Sequence, residues 1–97
     1  NIDCKELVAG SSLFLPIAVE GALFSIGDGH AAQGDSEVSG MAIECPMDRV
    51  EITFHLHERA PIQTAHARIP SGWLTFGFHE DLNEAMPAAL EVWNIRL

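Results

Sequence analysis

Six of the eight glycines of this chain fall between residues 10 and 40, at Gly10, Gly21, Gly27, Gly29, Gly34 and Gly40. No helix of ordinary length tolerates that density, because each interior glycine costs about 1 kcal/mol relative to alanine. What lies between them is short and apolar: Ser12-Leu13-Phe14-Leu15-Pro16-Ile17-Ala18-Val19 and Gly21-Ala22-Leu23-Phe24-Ser25-Ile26. Short apolar runs bounded by glycine and aspartate read as buried strands joined by tight turns. Pro16 cannot donate to a central ladder, so it marks an edge, a bulge or a bend. Asp3-Cys4-Lys5-Glu6-Leu7 reads as a helical turn or as the lead-in to the first strand.

The second half changes period. From Arg49 to His57, Val50, Ile52, Phe54 and Leu56 alternate with Glu51, Thr53, His55 and His57. That is the signature of a half-buried strand. Residues 62–69 predict a weaker strand and residues 72–78 a strong one. Then Leu82, Met86, Leu90, Trp93 and Leu97 recur every three or four residues, as on an amphipathic helix. With Asn83 as N-cap, Pro87 is the fourth helical residue and Glu84 meets the positive end of the helix dipole. The expected fold is mainly β, a sandwich- or barrel-like portion with one C-terminal amphipathic helix.

Length and charge narrow the function. At 97 residues the chain reads as one unit, with a glycine-rich β region over 1–48, strands over 49–80 and a helix over 81–97. It begins at Asn1 and stops within the helical stripe at Ile95-Arg96-Leu97, so it is expected to be a fragment of a longer polypeptide. Apolar residues make up 47% and charged residues 20%, a composition that folds rather than remaining disordered. A net charge of −9 disfavours nucleic acid and anionic membrane surfaces as partners. No apolar run approaches the roughly 18 residues that span a bilayer, and no secretory signal opens the chain. Two cysteines, Cys4 and Cys45, match neither a disulfide framework nor a zinc motif, so they are expected to stay unpaired in a reducing, cytoplasmic setting.

Chemistry concentrates in residues 27–37. Gly27-Asp28-Gly29-His30-Ala31-Ala32-Gln33-Gly34-Asp35-Ser36-Glu37 holds three carboxylates, an imidazole and a carboxamide among small residues. Small neighbours let a ligand approach the backbone closely. Carboxylate oxygen and imidazole nitrogen suit zinc and related divalent ions. A solvated Asp/Gly turn is the plain alternative, since no compact motif such as H-E-x-x-H is present.

The string Gly27-Asp28-Gly29-His30-Ala31-Ala32-Gln33-Gly34-Asp35, continuing through Glu37-Val38 to Gly40 and Ala42-Ile43-Glu44, resembles the signature of the acetamidase/formamidase family. Gly10-Ser11-Ser12-Leu13-Phe14-Leu15-Pro16 and Gly21-Ala22-Leu23-Phe24-Ser25 match the same family in the same order. Gly77-Phe78, Asp81-Leu82 and Glu84-Ala85 are similar to its later strand-to-helix segment. The resemblance implies a β-rich fold, hydrolysis of a short aliphatic amide to acid and ammonia, and a divalent metal, zinc first. It also implies a longer parent chain whose remainder contributes to the site, and a homo-oligomer is expected. Two positions depart from the family: Ser36, where glycine is usual, and Met41, where a smaller residue is commoner. Ser36 would restrict the turn before Glu37 if that turn needs φ > 0.

Roles follow residue by residue. Asp28, His30 and Glu44 are the expected metal ligands, with His30 also able to pass a proton to the leaving amine. Gln33 is expected to orient the amide substrate. Glu37 and Asp35 compete as the base that deprotonates water, with Glu37 preferred for its reach. Glu44, after Ala42-Ile43 and before Cys45-Pro46, sits in an apolar setting that would raise its pKa if unpaired. His55 and His57 share a face with Glu51 and Thr53 and are assigned to solvent, Cys45 to a buried inert position, and Trp73 and Trp93 to packing. The competing assignment is a non-catalytic β-rich binding or assembly module that keeps the family fold. The 97 residues alone are expected to release no ammonia from formamide above background; robust, chelator-sensitive release would overturn the fragment expectation.

Overall fold

The computed structural model describes residues 2–37, 40–58 and 63–94. They pack as two compact units, one of Asn1–Glu6 with Val19–His57, the other of Leu7–Ala18 with Glu58–Leu97. Among the described residues strands outnumber a single helix, which follows them in sequence, as the sequence predicts.

The second unit holds a three-stranded antiparallel sheet in the order β1 (Ser12–Phe14), β4 (His66–Ile69), β5 (Gly72–Thr75). Strands β4 and β5 form a hairpin, pairing Ile69 with Gly72 and His66 with Thr75 around the two-residue turn Pro70-Ser71. As the central strand, β4 turns three residues into the core: Ala67 is fully buried and Ile69 and His66 nearly so. Phe14 stacks on the His66 ring at 4.6 Å, and Trp73 tilts against both. Strand β1 is an edge, and Pro16 lies two residues past its end, where no ladder bond is lost.

Helix α1 (Leu82–Asn94) packs against β5. Its cap corrects the expected one. Asp81 precedes the first turn: its side chain accepts from the Asn83 N–H at 2.8 Å, and its carbonyl accepts from Ala85 at 3.0 Å. Aspartate outcompetes Asn83 because the helix begins at Leu82, which puts Glu84 at the third position of an Asp-x-x-Glu capping pair. Pro87 therefore lies six residues into the helix and leaves the Asn83 carbonyl without its usual N–H donor. The helix forms, but its buried face is not the expected stripe. Val92 and Ala85 are buried, whereas Leu82, Met86, Leu90 and Trp93 are exposed.

The other unit holds a two-stranded antiparallel sheet, β2 (His30–Gln33) with β3 (Ala42–Glu44). Several expected strands are absent. Residues 21–26 form none, because Gly21, Ala22 and Leu23 take left-handed φ of 80°, 58° and 53° in succession. Residues 49–57 form none either, although Phe54 meets Phe24 edge-on at 5.0 Å. Alternation supplies a strand with two faces but not the partner whose N–H and C=O groups would complete a ladder. Val50, Ile52, Phe54 and Leu56 are exposed accordingly. Strand β4 is shorter than residues 62–69 and β5 shorter than 72–78; Ile62, Val38 and Ile95 to Leu97 lie outside the described residues. Cys4 and Cys45 are half-buried, and the Cys4 thiol donates to Glu6 Oε2 at 3.3 Å. Among the described residues no helix is long and apolar enough to cross a membrane.

One backbone contact fixes how the chain leaves β5. A Cβ on Gly77 would lie 1.8 Å from the Ala85 carbonyl oxygen of α1, so strand exit and helix backbone touch with no side chain between them. Gly77→Ala is expected to destabilise the fold by about 1–3 kcal/mol through overpacking. Urea denaturation checks this, and a midpoint equal to wild type would contradict it.

Candidate metal and catalytic site

Strand β2 carries His30 and Gln33, and β3 carries Glu44 directly across from His30. The register advances two residues on β2, from His30 to Ala32, for one on β3, from Glu44 to Ile43. Ala31 is thus the extra residue of a bulge. In a regular strand, residues three apart point to opposite faces. The bulge resets that alternation, and His30 Nδ1 meets Gln33 Oε1 at 2.6 Å. Hydrogen bonds from Cys45 to Gly29 and from Gly34 to Met41 extend the pairing at either end.

The packing is tight around glycine at both of those ends. A Cβ on Gly29 would lie 2.6 Å from Met47 Cγ, and one on Gly34 would lie 3.0 Å from the Met41 side chain. The Met41 side chain therefore covers Gly34. Ser36 creates no conflict: the non-glycine residues with positive φ among those described are Ala22, Leu23 and Asp28. Asp28, at 63°, is the left-handed residue of the loop, a conformation that aspartate tolerates better than most.

The His30 side chain is about one-tenth exposed, and its Nε2 faces three carboxylates. Glu37 Oε1 is at 2.9 Å, Asp28 Oδ1 at 3.3 Å and Glu44 Oε1 at 3.5 Å. Despite that crowding, buried Nε2 has no in-line hydrogen-bond partner among the described residues. The hydrogen bond to Gln33 leads in raising the pKa of His30, with the charges of Glu37, Asp28 and Glu44 adding to it against desolvation. Asp28, His30 and Glu37 each offer a ligand atom within 4.8 Å of the other two. An orphaned imidazole nitrogen among carboxylates fits a divalent cation, zinc above the harder ions because of the nitrogen donor.

Of the residues that the sequence singles out, Asp28, His30, Gln33, Glu37 and Glu44 converge. Asp35 does not join them: its carboxylate is exposed and pairs with Lys5, which raises the lysine pKa. Glu44 is 77% exposed at its side chain rather than set in apolar surroundings, because it closes β3 at the hairpin rim. His55 and His57 are exposed. Lys5 carries no signal in the sequence; only the fold brings it to Asp35.

The profile of the Acetamidase/Formamidase family matches residues 1–71. A Schizosaccharomyces pombe protein named "Putative formamidase C869.04" is 56% identical over 39 residues, and the Acetamidase of Mycolicibacterium smegmatis is 49% identical over 39 residues. In both cases the match spans 40% of this chain and 10% of the relative. No solved structure matches the chain. The family match ends before β5 and α1.

In metal-free protein, His30 is expected to titrate above the ordinary 6.5. Folding then binds the proton more tightly, so this stabilisation is present below pH 6.5 and lost as pH rises through the higher folded value. NMR titration of the ring protons checks it, with Glu37→Gln moving the midpoint down. A wild-type midpoint at or below 6.5 would contradict the arrangement.

Proposed function

The chain belongs to the Acetamidase/Formamidase family, and on that premise we propose that the protein hydrolyses short aliphatic amides such as formamide and acetamide to carboxylate and ammonia. The convergence of Asp28, His30 and Glu37 within 4.8 Å is the observation that carries this reading. Those three residues would hold a divalent metal, zinc being the first choice. When bound, the metal supplies Lewis acidity toward an amide carbonyl and brings the pKa of water toward neutrality. Glu37 replaces Glu44 as the third ligand because it is nearer to Nε2 and more sheltered.

The chain's own groups complete the reaction. Glu44, beside the imidazole and open to solvent, accepts the proton of the attacking water as the new C–O bond forms. It returns that proton to the nitrogen as the C–N bond breaks and ammonia leaves. Gln33 uses Oε1 for His30 and keeps a buried Nε2 that has no partner among the described residues. This donor binds the substrate carbonyl oxygen. Asp35, turned to Lys5, serves the loop rather than the chemistry.

His30→Ala and Asp28→Asn are expected to lower amide turnover roughly 10²–10⁴-fold. Asp28→Asn should cost at most about 1 kcal/mol of stability, since its half-exposed loop carboxylate contributes little packing. His55→Ala should leave turnover unchanged. Ammonia release, metal content and thermal midpoint of the three variants decide the matter. Full activity and metal loading in His30→Ala would refute the site, and selective loss in His55→Ala would move it to the other histidines.

A further inference from the structure

We propose that Gln33 is a positioning residue that fixes the tautomer and ring orientation of His30, an inference that rests on the metal-site reading above. The carboxamide oxygen has no proton, so a 2.6 Å contact between Oε1 and Nδ1 requires the hydrogen on Nδ1. In the neutral ring this leaves the lone pair on Nε2, the atom among Glu37, Asp28 and Glu44. Nitrogen ligands of metals are typically held this way, by an acceptor on the opposite ring nitrogen.

Three features make the contact specific rather than incidental. It exists only because the Ala31 bulge places residues three apart on one face. Both side chains are partly sheltered, so water competes weakly for Nδ1. The opposite tautomer would set a lone pair against Oε1 and an N–H among carboxylates, leaving nothing at Nε2 to ligate a cation. An acceptor at residue 33 therefore matters more than a carboxamide as such.

The test uses zinc itself as probe, on the whole protein, with ¹⁵N chemical shifts of His30 as a second readout. Gln33→Met, nearly equal in volume, is expected to weaken zinc binding about 10–100-fold and to lose the preference for Nδ1–H in the neutral ring. Gln33→Glu restores an acceptor and should recover both within about threefold, a rescue that mere side-chain packing would not give. Wild-type affinity in Gln33→Met, or an Nε2–H tautomer in wild type, would overturn the proposal while leaving the amidase reading standing. Wild-type protein that binds no zinc would instead overturn the metal-site reading. In that case the metal-free tautomer decides alone, Nδ1–H supporting the role of Gln33 and Nε2–H ending it.

Discussion

One surplus residue, Ala31, sets the geometry of the site. Because β2 advances two residues against one of β3, His30 and Gln33 reach the same face and their side chains meet. Without that bulge the histidine would face the carboxylates with its far nitrogen unheld, or face away from them. A bulge costs a ladder bond and bends the strand, a cost generally found where a side chain must be re-aimed. Here it re-aims an imidazole, and the neighbouring glycines let Met41, Met47 and the Cys45 carbonyl close in around the hairpin.

The electrostatics follow from that placement. Three carboxylates gathered near one ring nitrogen repel one another, and a shared positive charge between them relieves the repulsion. A proton on His30 provides that charge in isolated protein, and a divalent cation provides more of it. The two occupants compete for the same nitrogen, so acid should weaken metal binding through His30. Asp35 and Lys5 stay outside this competition, since their pair forms on the exposed side of the loop.

Much of this was legible in residues 27–44, where polar groups interleave with glycine and alanine. Asp28, His30, Gln33, Glu37 and Glu44 all belong to that stretch, and all five converge. Their roles were less legible than their identity. Whether Glu37 or Glu44 stands nearer the imidazole depends on the course of the 34–41 loop, which spacing does not determine. The helix was readable from its periodicity, but its cap shifted from Asn83 to Asp81, two capping residues only two positions apart, of which Asp81 accepts from the Asn83 N–H. The alternation at residues 49–57 failed for another reason: period two describes faces, whereas a strand also needs a neighbour. Large side chains such as Phe54 and Leu56 consequently remain outside the core.

Asp28 answers to two independent demands at once. Its φ of 63° favours glycine, asparagine or aspartate, whereas its place 3.3 Å from His30 Nε2 asks for a short anionic oxygen. Glycine meets the first and not the second; glutamate meets the charge and not the backbone. The intersection holds one residue, with asparagine a neutral near-miss. Handedness and charge, imposed on the same α-carbon, reduce the usable alphabet at this position to a single letter, so a substitution there reports on ligation only when it preserves the turn.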